Sequence, residues 1–591
     1  MKKRQVSVIL VLAVLFASCS GDKSHDAKQD QSKRVAKGDR VYGGTFRFGM
    51  TEDYQTLYPY KITDAASAHI ATQVYEGLVK FNTIDLSVKP AIAEKWDIDA
   101  DGTTYTFHLR KGVKFQDDAC FQGGTGRELT ANDVKYSFEL LFTASPDNKN
   151  FEGIMKDRIT GASDYYEASK KEKPSKGIEG IKIIDDHTIS IKLSTPCSSF
   201  LFALANPAAY IVAKEAVEKY GVKMKVGSGP FIVAQETKPG EQITLTRNPN
   251  YYGQDSLGNQ LPYLDSIVVS FFTTKQKELA EFQSGNLQII WGLPSESIKD
   301  MVENQISDFN KLPPKYILDR SPEMSTQFYT FNSTREPFSK VKVKQAFSYA
   351  IDRERLVENV LRGEAFGPGV NGICPPSFKG YDITKDSGYS FNPEKARKLL
   401  AEAGYPGGKG FPMVKLKLNS GGKRNENIVF EVQKQLHDIL GVNIDFDIVS
   451  YKQRLEDESL GNGDMFRSSW IADYPSPENF LWLFYGKNVP DDAKAPSYPN
   501  ATRYKNAAFD KLYEAGTVAK TQEEAYADFL QAEKLMMKDA PIIVLWYDEN
   551  WRLTKSDVHN FNGNPMRYYD FSQVYLKAPE GPKSTAKEEK K

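Results

Sequence analysis

Met413-Val414-Lys415-Leu416-Lys417-Leu418-Asn419 alternates apolar and polar residues, and so does Val442-Asn443-Ile444-Asp445-Phe446-Asp447-Ile448-Val449-Ser450. A period of two is what an extended strand with one buried face needs, since successive side chains point to opposite sides. Between these runs Ile428, Val432, Leu436 and Ile439 recur at the spacing of one helix face. Gly441 stands where a left-handed residue ends a helix. The order strand (413–419), helix (427–440), strand (442–450) is a βαβ-like unit, and it predicts an α/β body.

Working outward, Tyr105, Phe107 and Leu109 alternate behind an Asp101-Gly102 turn, and Ile189, Ile191 and Leu193 repeat the pattern. Both read as strands. Val343, Phe347, Ala350, Ile351, Val357 and Val360 mark one helix over about residues 339–361. Residues 386–392 and 490–500 are rich in Pro, Gly, Asp and Asn and read as loops. No internal repeat is found, which argues against a solenoid or propeller.

The 591 residues allow roughly four units at about 150 residues each. Hydrophobic residues make up 40% and charged residues 26%, an ordinary globular balance that argues against wholesale disorder. Lys+Arg and Asp+Glu are equal at 77 each, so the basic excess of a nucleic-acid binder is missing. Lys2-Lys3-Arg4 precede an apolar run from 6 to 17, shorter than the roughly 20 residues of a membrane span. This reads as a signal peptide (1–18) of an exported protein. Phe16-Ala17-Ser18-Cys19 resembles a bacterial lipobox, which would make Cys19 a lipid anchor on a flexible tether (19–41). The Lys-rich end, 581–591, reads as a disordered tail. Cys120, Cys197 and Cys374 are too few for a disulfide framework, though one pair could form. No two of the six His lie within four residues of each other, so neither a metal nor a cofactor is expected.

The usual catalytic patterns are missing: no GxSxG, no P-loop and no GxGxxG between strand and helix. Asp473 with Glu478 could serve as a glycosidase pair only in a suitable cleft. Phe466-Arg467-Ser468-Ser469-Trp470-Ile471-Ala472-Asp473 sets a cation, an aromatic and an anion at intervals of three. That set suits a zwitterion, with Asp473 for an ammonium, Arg467 for a carboxylate and Trp470 to exclude water. A helix-to-loop junction with a surface ion pair is the alternative.

Here the sequence resembles the family 5 solute-binding proteins of ABC importers, which include oligopeptide- and dipeptide-binding members. The resemblance runs through Tyr75-Glu76-Gly77-Leu78, Ala93-Glu94-Lys95-Trp96, Tyr105 to Phe115, Leu129 to Val134, Gly227-Ser228-Gly229-Pro230-Phe231, Arg247-Asn248-Pro249-Asn250-Tyr251-Tyr252, and Pro337-Phe338 with Ala346 to Arg353. It departs at residues 119–128, an insertion. The resemblance implies a two-lobed, periplasmic-binding-protein-like fold, type II, with an extra domain. Lobe 1 would comprise 42–85, 205–325 and 540–580, the extra domain 86–204, and lobe 2 326–539.

It further implies peptide binding, with Asp473 on the α-ammonium and Arg467 on the carboxylate of a short peptide. A histidine that holds longer peptides falls at Asn425, where Arg424 or Lys423 could substitute, and Glu76 joins the ligand-contacting set. Expected partners are a peptide, an ABC permease with its ATPase, and a membrane through the anchor, with the protein itself monomeric. The same fold binding a sugar, metal complex or haem is one alternative. An exported peptide or glycan hydrolase and a receptor presenting ligand to a membrane sensor are others.

Overall fold

The computed structural model describes residues 35–578, apart from 146, 147, 149, 237–239, 293–305, 312, 363, 386, 387 and 420–422. The signal segment, Cys19 and the 581–591 tail lie outside the described residues.

The βαβ unit forms as strand Val414–Asn419, helix Lys423–Leu440 and strand Ile444–Val449. The two strands pair in parallel from Val414 opposite Ile444 to Asn419 opposite Val449. The helix starts four residues before the apolar stripe announces it, because residues 423–426 are all polar and leave no apolar periodicity in the sequence. Strand Met465–Ile471 joins on the other side of Val414–Asn419, also parallel. Three carboxyl ends therefore open on one edge, where ligands of open α/β sheets bind.

Two long strands connect the lobes. Tyr316–Phe331 and Ile542–Lys555 run antiparallel through the middle of one eleven-stranded sheet. Residues 316–322 pair with 549–555 beside Ile289–Trp291 of lobe 1, whereas 326–330 pair with 542–547 beside Met465–Ile471 of lobe 2. The register shifts between Pro322 and Thr326. Pro322 has no N–H to give the ladder, so the pairing is interrupted at this shift. A separate four-stranded sheet, Ala93–Ile98, Thr104–Leu109, Thr188–Lys192 and Ile181–Asp185, falls inside the expected extra domain. The Asp101-Gly102 turn is held by Asp99 and Asp101, which accept from the Thr103 and Thr104 amides.

Two expectations are corrected. The helix read over 339–361 is broken: Val341–Ala350 ends at Ile351 and Asp352, both extended, and a new turn starts at Arg353. The Asp352 carboxylate accepts from the Arg355 amide at 3.0 Å, a side-chain cap that restarts the helix and keeps the same apolar face. Asp352→Ala is expected to cost about 1 kcal/mol, read as a lowered urea midpoint. The expected tether (19–41) is contradicted over its last residues, where Val35 bridges Val41 and Ala36 and Val41 are buried. Arg40 anchors this segment by pairing with Asp255, a buried carboxylate that also accepts from Tyr263 and Asn259.

Cys120, Cys197 and Cys374 form no disulfide with one another. Among the described residues, no cluster of His, Cys, Asp and Glu could hold a metal, and no helix is long and apolar enough to cross a membrane.

Candidate functional site

The segment singled out in the sequence is a strand followed by a loop, not a helix end. Along Met465–Ile471, Arg467 lies opposite Tyr329 and Trp470 opposite Thr326, so their odd spacing puts them on opposite faces of the sheet. Trp470 therefore does not stand between Arg467 and Asp473. Its indole N–H donates to Asn479 Oδ1 at 2.8 Å, and its ring begins an aromatic series with Trp482 (6.5 Å between centroids) and Tyr498 (6.2 Å from Trp482).

Asp473 follows the strand end, and its backbone carbonyl accepts from Asn206 of the facing lobe at 3.4 Å. Asn479 grips it twice, donating from Nδ2 to Oδ2 at 3.0 Å and accepting from the Asp473 amide at 2.9 Å. Oδ1 has no hydrogen-bond partner among the described residues. Asp473 is exposed to solvent, yet enough protein surrounds its carboxylate to penalise the charge. Burial raises its pKa above the ordinary carboxylate value, against the opposing hydrogen bond from Asn479. A negative group held in this state lacks a positive partner.

At the other end Arg467 donates to Gln327 Oε1 and, at 3.5 Å, to Asn419 Oδ1. It makes no ion pair among the described residues, and burial followed by the nearby Arg454 charge lowers its pKa. Asn425 is brought beside it and lines the same small cavity with Tyr329 and Trp546. Asn425 is buried and donates to the Asn419 carbonyl at 3.3 Å, so it closes off the strand end. Arg424 is more exposed, 5.3 Å over the Trp546 ring and 3.8 Å from Asp548. Arg424 stands in the first turn of an 18-residue helix, where the peptide dipoles favour an anion. Asp548 accepts from Ser325, Gln327 and Trp546 and also pairs with Arg424, so Arg467 is left with no ion pair among the described residues.

Glu76 is not part of this arrangement. It is buried in lobe 1, accepts from the Tyr251 hydroxyl at 2.8 Å and pairs with Lys80 at 3.3 Å, while Lys80 also reaches Asp570 at 3.0 Å. Its element matches the family pattern through backbone and packing: Ile211 donates to the Glu76 carbonyl, and a Cβ at Gly77 would lie 3.0 Å from the Leu204 carbonyl. Glu478 cannot pair with Asp473 for glycoside chemistry, because it is bound to Arg158 and Ser199.

The structure adds residues that spacing did not reveal. Glu323, at the register shift, is buried and pairs with Arg567, whose Nε lies 2.6 Å away. Arg567 has φ +53°, a left-handed conformation held by the Asn564 side chain, which accepts from the Tyr568 amide and donates to its carbonyl. Asn479 stands beyond Asp473 in the short helix Glu478–Leu481, where a single amide carries no periodic signal.

Residues 87–492, more than half of the chain, match the family described as Bacterial extracellular solute-binding proteins, family 5 Middle. The periplasmic oligopeptide-binding protein OppA of Escherichia coli is 29% identical over 527 residues, 86% of this chain and 88% of that one. Heme-binding protein A of Haemophilus influenzae is 27% identical, over 97% of this chain and 99% of that one. The structure of the ABC transporter-associated periplasmic binding protein DppA from Helicobacter pylori, in complex with peptide STSA, superposes with a TM-score of 0.72. It is 27% identical and covers 91% of this chain and 99% of that one.

Proposed function

The chain belongs to the bacterial extracellular solute-binding proteins of family 5, and on that premise we propose that it captures short peptides with free termini between its lobes. It hands them to an ABC permease and alters none of their bonds. The observation that carries this reading is the pair of unmatched charges: Glu323 has Arg567 and Asp548 has Arg424 and three donors, but among the described residues Asp473 forms no ion pair with a cation and Arg467 none with an anion. A zwitterion supplies both. A sugar supplies neither, and haem offers carboxylates without an ammonium, although one similar protein is named for haem.

From Arg467 to Ile471 the strand rises about 13 Å, and an extended ligand advances about 3.3–3.6 Å per residue. Termini held near these two positions suit peptides of a few residues. Backbone groups of the ligand can pair with the exposed strand end, which is indifferent to side-chain identity. Closure follows because only the closed form touches the ligand from both sides. Cys19 lipidation, an exported location at the bacterial membrane and a monomeric state complete the proposal.

Native mass spectrometry of the purified protein should show a co-purifying short peptide. Titration should show that N-acetylation or C-amidation of a tripeptide weakens binding; indifference to both end groups would sink the reading. A ligand ammonium favours ionised Asp473, so binding expels a proton when the free carboxyl is protonated. Affinity is therefore flat above the raised Asp473 pKa and falls as pH drops through it, a slope that calorimetry between about pH 4 and 7 should find and Asp473→Asn should abolish.

A further inference from the structure

Where the extra domain meets the segment carrying Asp473, the contact is charged and buried. Arg158 Nη2 donates to Glu478 Oε1 at 3.1 Å and to the Tyr474 hydroxyl at 3.3 Å. Its Nη1 donates to Ser199 Oγ at 2.7 Å and Cys197 Sγ at 2.8 Å, and the Ser199 hydroxyl donates to Glu478 Oε2. The guanidinium also lies 5.7 Å from the Tyr474 ring centre. Only 12% of the Arg158 side chain and 7% of the Glu478 side chain are exposed.

Arg158 is fixed to its own domain, because the next residue, Ile159, bridges Leu193. Glu478 opens the short helix Glu478–Leu481, so it shares one turn of backbone with Asn479. Asn479 is the residue that grips the Asp473 carboxylate and the Trp470 indole. A buried ion pair is a poor source of stability, since desolvation offsets the attraction, but it fixes geometry closely. This one spans 320 residues and joins the extra domain to the loop that leaves the lobe 2 strand Met465–Ile471.

We propose that Arg158 and Glu478 are positioning residues for the ammonium subsite, through which the extra domain clamps the 473–479 segment and Asn479 passes that constraint to Asp473. The proposal rests on the peptide reading above. It makes the extra domain part of ligand sensing: closing the crevice and aiming the carboxylate become one event.

The test uses trialanine and N-acetyl-trialanine by calorimetry, with hydrogen exchange of the ligand-free protein. Wild type should favour the free amine by roughly 100-fold or more. Arg158→Met should cut that ratio about tenfold, leave the acetylated probe nearly unaffected and speed amide exchange over 473–485. Arg158→Lys, which keeps the charge, should recover much of the ratio. An unchanged ratio in Arg158→Met, or equal losses for both probes as general misfolding would give, overturns the proposal. If wild type binds neither probe, the peptide reading falls, and exchange over 473–485 alone decides the clamp: faster exchange in Arg158→Met supports it and unchanged exchange overturns it.

Discussion

Asp473→Asn is expected to weaken binding of a free-amine peptide by about 3–5 kcal/mol, roughly a hundred- to a thousandfold or more. The substitution keeps the shape of the side chain and its bonds to Asn479 within reach, so the loss reports charge. A peptide ammonium drawn into the crevice gives up its water, and without Asp473 it stays buried and unpaired, since among the described residues Oδ1 is held by nothing else. Acetylating the peptide removes the same charge from the other side. The two changes should therefore be strongly non-additive, and a double-mutant cycle between them isolates the pair. Equal losses for free and acetylated peptide would show that Asp473 contributes packing only.

The same residue makes an opposite prediction for the ligand-free protein. Its folded pKa is raised, so its contribution to stability is fully present below the unfolded pKa and lost as pH rises through the folded one. Above that pKa the ionised carboxylate is a burden on the empty protein, and Asp473→Asn should raise its unfolding temperature there while weakening binding.

How much of this was legible in the sequence depends on what kind of signal each part leaves. The parallel strands around Leu416 and Ile444 were legible because one buried face imposes a period on composition. The register shift after Pro322 was not: Tyr316–Phe331 keeps Ile542–Lys555 as its partner on both sides of the shift and gains Met465–Ile471 only from Ser325 onward, and nothing in its composition marks that point. The helix over 339–361 was misread for a related reason, since a capped break between two helices preserves the apolar face while interrupting the backbone. At the site, Asp473, Arg467 and Trp470 stood out by residue type, but type does not give face, and strand parity separates Trp470 from Arg467. Glu76 misled because a matching motif can be retained for a buried charge cluster as readily as for a ligand. Glu323 with Arg567, Arg158 with Glu478, and Asn479 with Asp473 are pairings across the fold, or amides without pattern, and they become visible only in three dimensions.

Arg353→Met should be the most destabilising of the substitutions considered, at about 4–5 kcal/mol. Arg353 is only 2% exposed. Among the described residues no carboxylate forms an ion pair with it; carbonyls surround it instead. Nη1 donates to Ser348 O at 2.9 Å, Tyr389 O at 3.0 Å and Ile351 O at 3.1 Å, and Nε donates to Val544 O. Ser348 and Ile351 lie at the end of the helix Val341–Ala350, where carbonyls have no partner further along the helix and favour a cation. Val544 belongs to the second crossover strand, so one side chain ties a lobe 2 helix to an element that continues into lobe 1. Burial pushes the guanidinium pKa down to about 10, which still leaves it charged at neutral pH and donating throughout. Methionine fills much of the volume and returns none of the donors, stranding carbonyls that cost about 1–3 kcal/mol each when unsatisfied, less than additively as neighbours relax. Lysine keeps the charge but not the planar fork, and should recover only part of the loss. Urea unfolding followed by tryptophan fluorescence measures the difference. A shift no larger than that of an ordinary surface substitution, within about 0.5 kcal/mol, would mean that water replaces the guanidinium and that the helix and the crossover strand are held together by their apolar contacts alone.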